Sequence, residues 1–255
     1  MEEVKRFLLC LLILAMAAGF TGFSENEARG TVVVVEEPLE TDGLALNGLK
    51  IGIDPGHQMR ANTEKEPVAP GSAETKAKVA AGTRGVRTGR PEYAVNLEVS
   101  LLLRDALEAL GAEVLMTRET NEADISNVER AVMMNEWGAD FVVRIHCNGS
   151  NVSSANGMGM YVRKTGACAA ESERLARALL DAMGRETGAN RQGVFQRDTY
   201  TGLNWSEVPC VLVEMGYMTN PDEDERLSDP EYQEKLVRGM AAGMIAYAQS
   251  ADSPR

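Results

Sequence analysis

From Gly48 onward, short runs of β-branched and aliphatic residues alternate with longer stretches in which apolar residues recur every three or four positions. The short runs are Leu49 to Ile53, Glu113 to Thr117, Phe141 to Ile145, Met158 to Val162 and Cys210 to Val213. Each has the length of a buried strand. Between them, "EYAVNLEVSLLLRDALEALG" places Val95, Val99, Leu102, Leu103, Ala106 and Leu110 on one helical face. "SNVERAVMMNEWG" opens with a capping box of Ser126 and Glu129. "ESERLARALLDAMGRETG" and "DPEYQEKLVRGMAAGMIAYAQ" read as two more helices, the second with Met240 and Met244 at core spacing. In "TNPDEDERL" Asn220 caps a short helix, Pro221 fills its first turn, and the acidic residues at its positive end read as capping. The alternation predicts a single α/β domain whose twisted, mostly parallel sheet is flanked by helices on both faces.

Composition sets the limits of that domain. A chain of 255 residues with 44% hydrophobic content has room for a leader and one sizeable core. Residues 1–18 read as a signal peptide, with Lys5 and Arg6 ahead of an apolar stretch and Ala15-Met16-Ala17 as the cleavage site. The stretch falls short of the roughly 20 apolar residues that span a bilayer, so no membrane span is expected after cleavage. Residues 19–47, around "TVVVVEE", form a linker or an edge strand, and 48–250 the globular domain. The longest irregular piece, 58–91, follows His57 directly and suggests a wall or lid over it. The net charge of -12 argues against nucleic acid and anionic lipid as partners. Beyond the leader, Cys147, Cys168 and Cys210 make no disulfide framework and are expected as free thiols.

Two histidines are all the chain has, and both close apolar runs, His57 after "IGIDPG" and His146 at the end of "FVVRIH". Glu214 ends "VLVE" in the same way, and Glu92 opens the helix after the long loop, where the dipole favours a carboxylate. In open α/β sheets ligands gather beyond the carboxyl ends of strands. Two imidazoles and two carboxylates brought to one edge suit a catalytic zinc, with three protein ligands and one carboxylate left to move a proton. Against this stands the ordinary case, in which a single histidine is a hydrogen-bonding residue and a single glutamate lies at the surface. The spacing makes no local metal motif.

The stretches "IGIDPGH", "EYAVNL", "LLLRDALEALGAEVLMTRE", "ERAVMMNEWGADFVVRIHCNG" and "VPCVLVEMGYMTNPDEDERL" resemble, in order, the zinc-dependent N-acetylmuramoyl-L-alanine amidases of the Amidase_3 group. The resemblance runs from about Leu49 to Ala248. It implies a secreted, extracytoplasmic cell-wall hydrolase, acting as a monomer on peptidoglycan at the amide between N-acetylmuramic acid and L-alanine. Carried over, it makes His57, Glu92 and His146 the Zn2+ ligands and Glu214 the catalytic acid/base. The chain departs from the family pattern at Gln58, where glycine is usual, in the length of the loop after it, and in "RIHCNG" where "SIHAN" is commoner. No wall-gripping second module is visible. The rivals are another zinc-dependent wall peptidase or amidohydrolase, and a catalytically silent wall-binding module.

Strand alternation puts Arg144, His146 and Asn148 on one face and turns Cys147 away. Arg144 and Asn148 are therefore candidate substrate-binding residues, Arg144 for a carboxylate or carbonyl of the stem peptide. The alternative for Arg144 is a pair with a nearby acidic side chain that shapes the site. A Cys147–His146 nucleophilic dyad is sterically poor because strand neighbours face opposite ways.

Overall fold

The computed structural model describes residues 44–250. The expected signal peptide and the "TVVVVEE" stretch lie outside them. Eight strands and six helices follow in the order β1 (Lys50–Pro55), β2 (Asn62–Pro67), β3 (Thr75–Val79), α1 (Glu92–Ala109), β4 (Glu113–Met116), α2 (Asn127–Trp137), β5 (Phe141–Asn148), β6 (Met158–Val162), α3 (Ala169–Thr187), β7 (Arg191–Gln196), α4 (Thr201–Asn204), β8 (Cys210–Tyr217), α5 (Pro221–Leu227) and α6 (Pro230–Ala248). Six strands form one sheet in the order β4-β1-β5-β8-β6-β7. The first four run parallel; β6 joins β8 antiparallel, and β7 runs parallel to β6.

The predicted alternation holds because the inner parallel strands β1, β5 and β8 are buried on both faces. Ile51, Ile53, Val143, Ile145, Val211 and Val213 turn to the larger core under α1, α3 and α6. Val142, Cys210 and Leu212 turn to a smaller one with Met134 and Leu203 from α2 and α4. Such strands read as continuous apolar runs. The Ser126–Glu129 capping box forms as expected, and Gly138 ends α2 in the left-handed conformation. Met240 and Met244 are fully buried. Cys147, Cys168 and Cys210 are free, with Cys147 and Cys210 in the two cores.

Three features differ from expectation. Residues 58–91 are not irregular throughout, since β2 and β3 pair as an antiparallel hairpin. Its strands, "NTEKEP" and "TKAKV", are polar and largely exposed, so no hydrophobic alternation announces them. The hairpin is docked: Trp205 donates to the Pro67 carbonyl at 2.9 Å, Asn127 to that of Lys78 at 2.6 Å, and Asn204 to that of Val68 at 2.9 Å. It is a wall on α2 and α4. The edge strand β7, "RQGVFQ", escapes for the same reason. Finally, Asn220 does cap α5, but two of the acidic residues behind it do more. Glu223 accepts from the Gly157 and Tyr217 amides, and Asp224 from those of Arg87 and Thr88.

Candidate metal centre and active site

Three adjacent parallel strands, β1, β5 and β8, end at one edge of the sheet, and each delivers one residue there. After β1 the Pro55-Gly56 turn presents His57, whose φ of 59° is the one positive value of a non-glycine residue among those described. Such a conformation persists only where its surroundings hold it. Here three carbonyls of the turn are gripped by arginines. Arg118 donates to Pro55 at 2.9 Å and Gly56 at 3.0 Å, and Arg130 to Pro55 at 2.8 Å and His57 at 3.1 Å. His146 is the sixth residue of β5 and lies in register with Glu214 on β8.

Glu92, in the first turn of α1, completes the group. Its Oε1 lies 3.2 Å from Nε2 of His57 and 3.2 Å from Nδ1 of His146. One donor atom from each of the three residues falls within 4.8 Å of the others, an arrangement able to hold a metal ion. Two tetrahedral ligands at zinc distances sit roughly 3.3 Å apart, which matches the two separations from Glu92.

The donor chemistry favours a cation in their midst. The Ala80 carbonyl lies 2.8 Å from Nδ1 of His57, and a carbonyl only accepts, so that nitrogen carries the proton and Nε2 is free to bind metal. Oε1 of Glu92 already accepts from the Cys147 amide at 3.1 Å and from Asn96 at 3.3 Å, and Oε2 from the Thr83 amide at 2.8 Å. It needs no further donors. Glycines let backbone close in: a Cβ on Gly56 would fall 2.2 Å from the His146 ring, and one on Gly82 2.8 Å from Glu92.

Electrostatics follow from this crowding. Burial pulls the His57 imidazole down, but the Glu92 carboxylate and the Ala80 carbonyl outweigh it and raise its pKa. Burial pushes Glu92 up, and the two histidines overcome it and hold the carboxyl far below the usual range. Glu214 has no such partner. Burial, and then the negative charge of Glu92, raise its pKa well above that of an ordinary glutamate. Its Oε2 has no hydrogen-bond partner. The Cys147 thiol is pushed well up by burial and by Glu92, which leaves no thiolate for nucleophilic attack.

A family model described as N-acetylmuramoyl-L-alanine amidase matches residues 51–246. The chain belongs to this family. It is 30% identical over 242 residues to the N-acetylmuramoyl-L-alanine amidase Rv3717 of Mycobacterium tuberculosis, covering 87% of this chain and 98% of that one. It is also 30% identical over 162 residues to LytC of Bacillus subtilis, covering 64% of this chain and 32% of that longer protein. Among solved structures, the amidase Ami1 of Mycobacterium smegmatis superposes with a TM-score of 0.74 at 26% identity, covering 79% of this chain and 97% of that one. Ami1 of Mycobacterium abscessus gives 0.74 at 28% identity, covering 80% of this chain and 100% of that one.

Within this member of the family, Arg144 is buried. Its guanidinium meets Asp54 at 2.9 Å and Asn127 at 2.8 Å, so it has the acidic partner that the sequence allowed as its alternative role. The side chain of Asn148 accepts from the Gly149 amide at 2.8 Å and meets the Tyr161 hydroxyl. Sequence reasoning missed Asp54, Arg118 and Arg130, the support beneath the His57 turn. Asp54 accepts from Arg130 at 2.7 Å and from the Thr117 hydroxyl at 2.5 Å. Burial alone would raise its pKa, but the Arg144 and Arg130 charges and the Thr117 hydroxyl carry it far below the carboxylate range. The one available signal was an aspartate closing an apolar run beside arginines in "TRE" and "ERA". The unusual Gln58 is buried in the same network, accepting from Arg130 and the Ile125 amide, each at 3.1 Å.

That network sets a stability prediction. Asp54→Asn leaves two buried guanidinium groups short of their counter-charge, a loss of about 3–5 kcal/mol. The denaturant midpoint should fall accordingly. Because the Asp54 pKa is lowered by folding, its contribution is full above about pH 4 and is lost only as pH drops through the folded value. In the wild type the Asp54 contribution should thus survive mild acid.

Proposed function

We propose that the chain is a zinc-dependent peptidoglycan hydrolase that cleaves the amide between N-acetylmuramic acid and the L-alanine of the stem peptide. The observation that carries this reading is the convergence of His57, Glu92 and His146 on one point, with Glu214 in register beside His146. His57 Nε2, Glu92 Oε1 and His146 Nδ1 would hold the metal. Bound there, zinc would polarise the scissile carbonyl and acidify the attacking water.

Glu214 is the acid/base of this scheme. It takes a proton from the water as the new C–O bond forms, then passes it to the alanine nitrogen as the C–N bond breaks. Burial, and then the negative charge of Glu92, raise its affinity for protons, and the positive charge of an occupied metal site would offset the repulsion from Glu92. Asn148 faces substrate, and Arg144 acts through Asp54 on the His57 turn. Residues 1–18 serve as a secretion signal, 19–47 as a linker or edge strand and 48–250 as the catalytic domain, in keeping with an enzyme that works outside the membrane at the wall. No helix of the described residues is long and apolar enough to cross a membrane.

The test is product analysis of purified peptidoglycan. Wild-type protein should release stems with free L-alanine amino termini, a chelator should abolish release, and zinc should restore it. New amino termini at any other stem residue would identify a peptidase instead, and release that persists without metal would overturn zinc dependence.

A further inference from the structure

The β2–β3 hairpin reaches one of the three candidate metal ligands. The Ala80 carbonyl, one residue beyond β3, accepts from Nδ1 of His57 at 2.8 Å. That bond fixes the tautomer that leaves Nε2 free for a metal. Ala80 follows Val79, which pairs with Asn62 at the base of the hairpin. Where its carbonyl stands therefore depends on how the hairpin is docked.

The first turn of α2 docks the base of that hairpin. Asn127, its first residue, donates to the Lys78 carbonyl on β3 at 2.6 Å, and the Val128 amide donates to buried Glu66 on β2 at 3.1 Å. The half-buried Asn127 makes a second bond, its Oδ1 accepting from Arg144 at 2.8 Å. Arg144 meets Asp54 at 2.9 Å, Asp54 accepts from Arg130 at 2.7 Å, and Arg130 donates to the His57 carbonyl at 3.1 Å. These contacts close on themselves, running from the His57 ring through β3, Asn127, Arg144, Asp54 and Arg130 back to the His57 backbone. Asn127 is the member that joins β3 to the arginine network. A carboxamide suits that place because it donates on one side and accepts on the other, whereas an ionised aspartate only accepts.

Resting on the metal reading above, we propose that Asn127 is a positioning residue for the metal. Through the Lys78 carbonyl it sets the Ala80 carbonyl against His57, so that docking of the hairpin and affinity for zinc are one property. Groups that orient a ligand from outside commonly govern metal affinity in this way. The other end of the hairpin is fastened separately, by Trp205 to the Pro67 carbonyl and Asn204 to that of Val68. Freeing that end leaves the Asn127 bond in place. Freeing Asn127 releases β3 beside Ala80, and with it the carbonyl that holds the His57 ring.

The experiment measures zinc affinity by competition with a chromogenic chelator, with hydrogen exchange of the β3 amides followed alongside. Asn127→Ala and Asn127→Asp should each weaken zinc binding by about tenfold, the lower end of what loss of an outer partner costs, and each should speed exchange in β3. Asn127→Asp carries the decision, because it keeps Arg144 partnered and loses only the donor to Lys78. Trp205→Phe, which frees the far end of the hairpin, should keep the wild-type affinity. Wild-type affinity in Asn127→Asp would overturn the proposal and leave any effect of Asn127→Ala to Arg144. An equal fall in Trp205→Phe would overturn it as well, since general loosening of the hairpin would then suffice. So would weaker zinc binding with β3 exchange unchanged. A wild type that binds no zinc would overturn the metal reading itself, and this proposal with it.

Discussion

Replacing Glu214 by glutamine should lower kcat on a muramoyl-peptide by roughly 10²–10⁴-fold, the usual worth of a positioned acid/base, with metal content unchanged. Glutamine keeps the shape but carries no exchangeable acid proton. Glu214 stands in register with His146, yet is absent from the three-residue cluster able to hold metal. The same substitution should also stabilise the metal-free protein. Glu214 has a folded pKa above its unfolded value, so the folded state holds the extra proton between the two values. Stability from this group is greatest below that window and is lost as pH rises through it. Above the unfolded pKa the raised folded value is therefore a cost of folding, set by burial and by repulsion from Glu92, that glutamine removes. The melting temperature should rise by about 2 °C or more, the shift that ~1 kcal/mol produces in a domain of this size. Full activity in the variant would assign proton transfer to another group. A lower melting temperature would deny the strain.

His146→Ala should lose both metal and activity, with the fold retained. His146 reaches Glu92 Oε1 through Nδ1, and both side chains are largely buried. Loss of a residue that merely supports a ligand weakens metal binding by about 10–100-fold; removal of a ligand should exceed this. Zinc content after dialysis, measured beside the wild type, decides the matter, and added zinc should not restore turnover. Stoichiometric zinc with full turnover would remove His146 from the ligand set. The fold should tolerate the change, because the His146 side chain belongs to neither apolar core.

Much of this was legible in the chain itself. The buried parallel strands announced themselves because a strand covered on both faces is apolar at every position, as in "FVVRI" and "VLV". The four candidate residues could be named because scarce chemistry, two histidines in all, stood where strands end. The hairpin β2–β3 and the edge strand β7 were not legible, since polar strands docked by hydrogen bonds carry no periodicity. Nor was the support beneath His57. Asp54, Arg118 and Arg130 meet only after β1, β4 and α2 are brought together, and their pairing depends on distance through space. Arg144 shows the limit most directly: alternation gave its face correctly, but only the fold supplied Asp54 and Asn127 as its partners.

The sequence by itself determined the alternation of buried strands with the longer helices and which residues were candidates for the chemistry, because periodicity and residue type act locally along the chain. Tertiary structure alone decided that Glu92 sits between two imidazoles and that Glu214 is buried with its Oε2 unpartnered. Those properties are sums over neighbours distant in sequence. Burial and charge set a pKa only once the strands lie side by side.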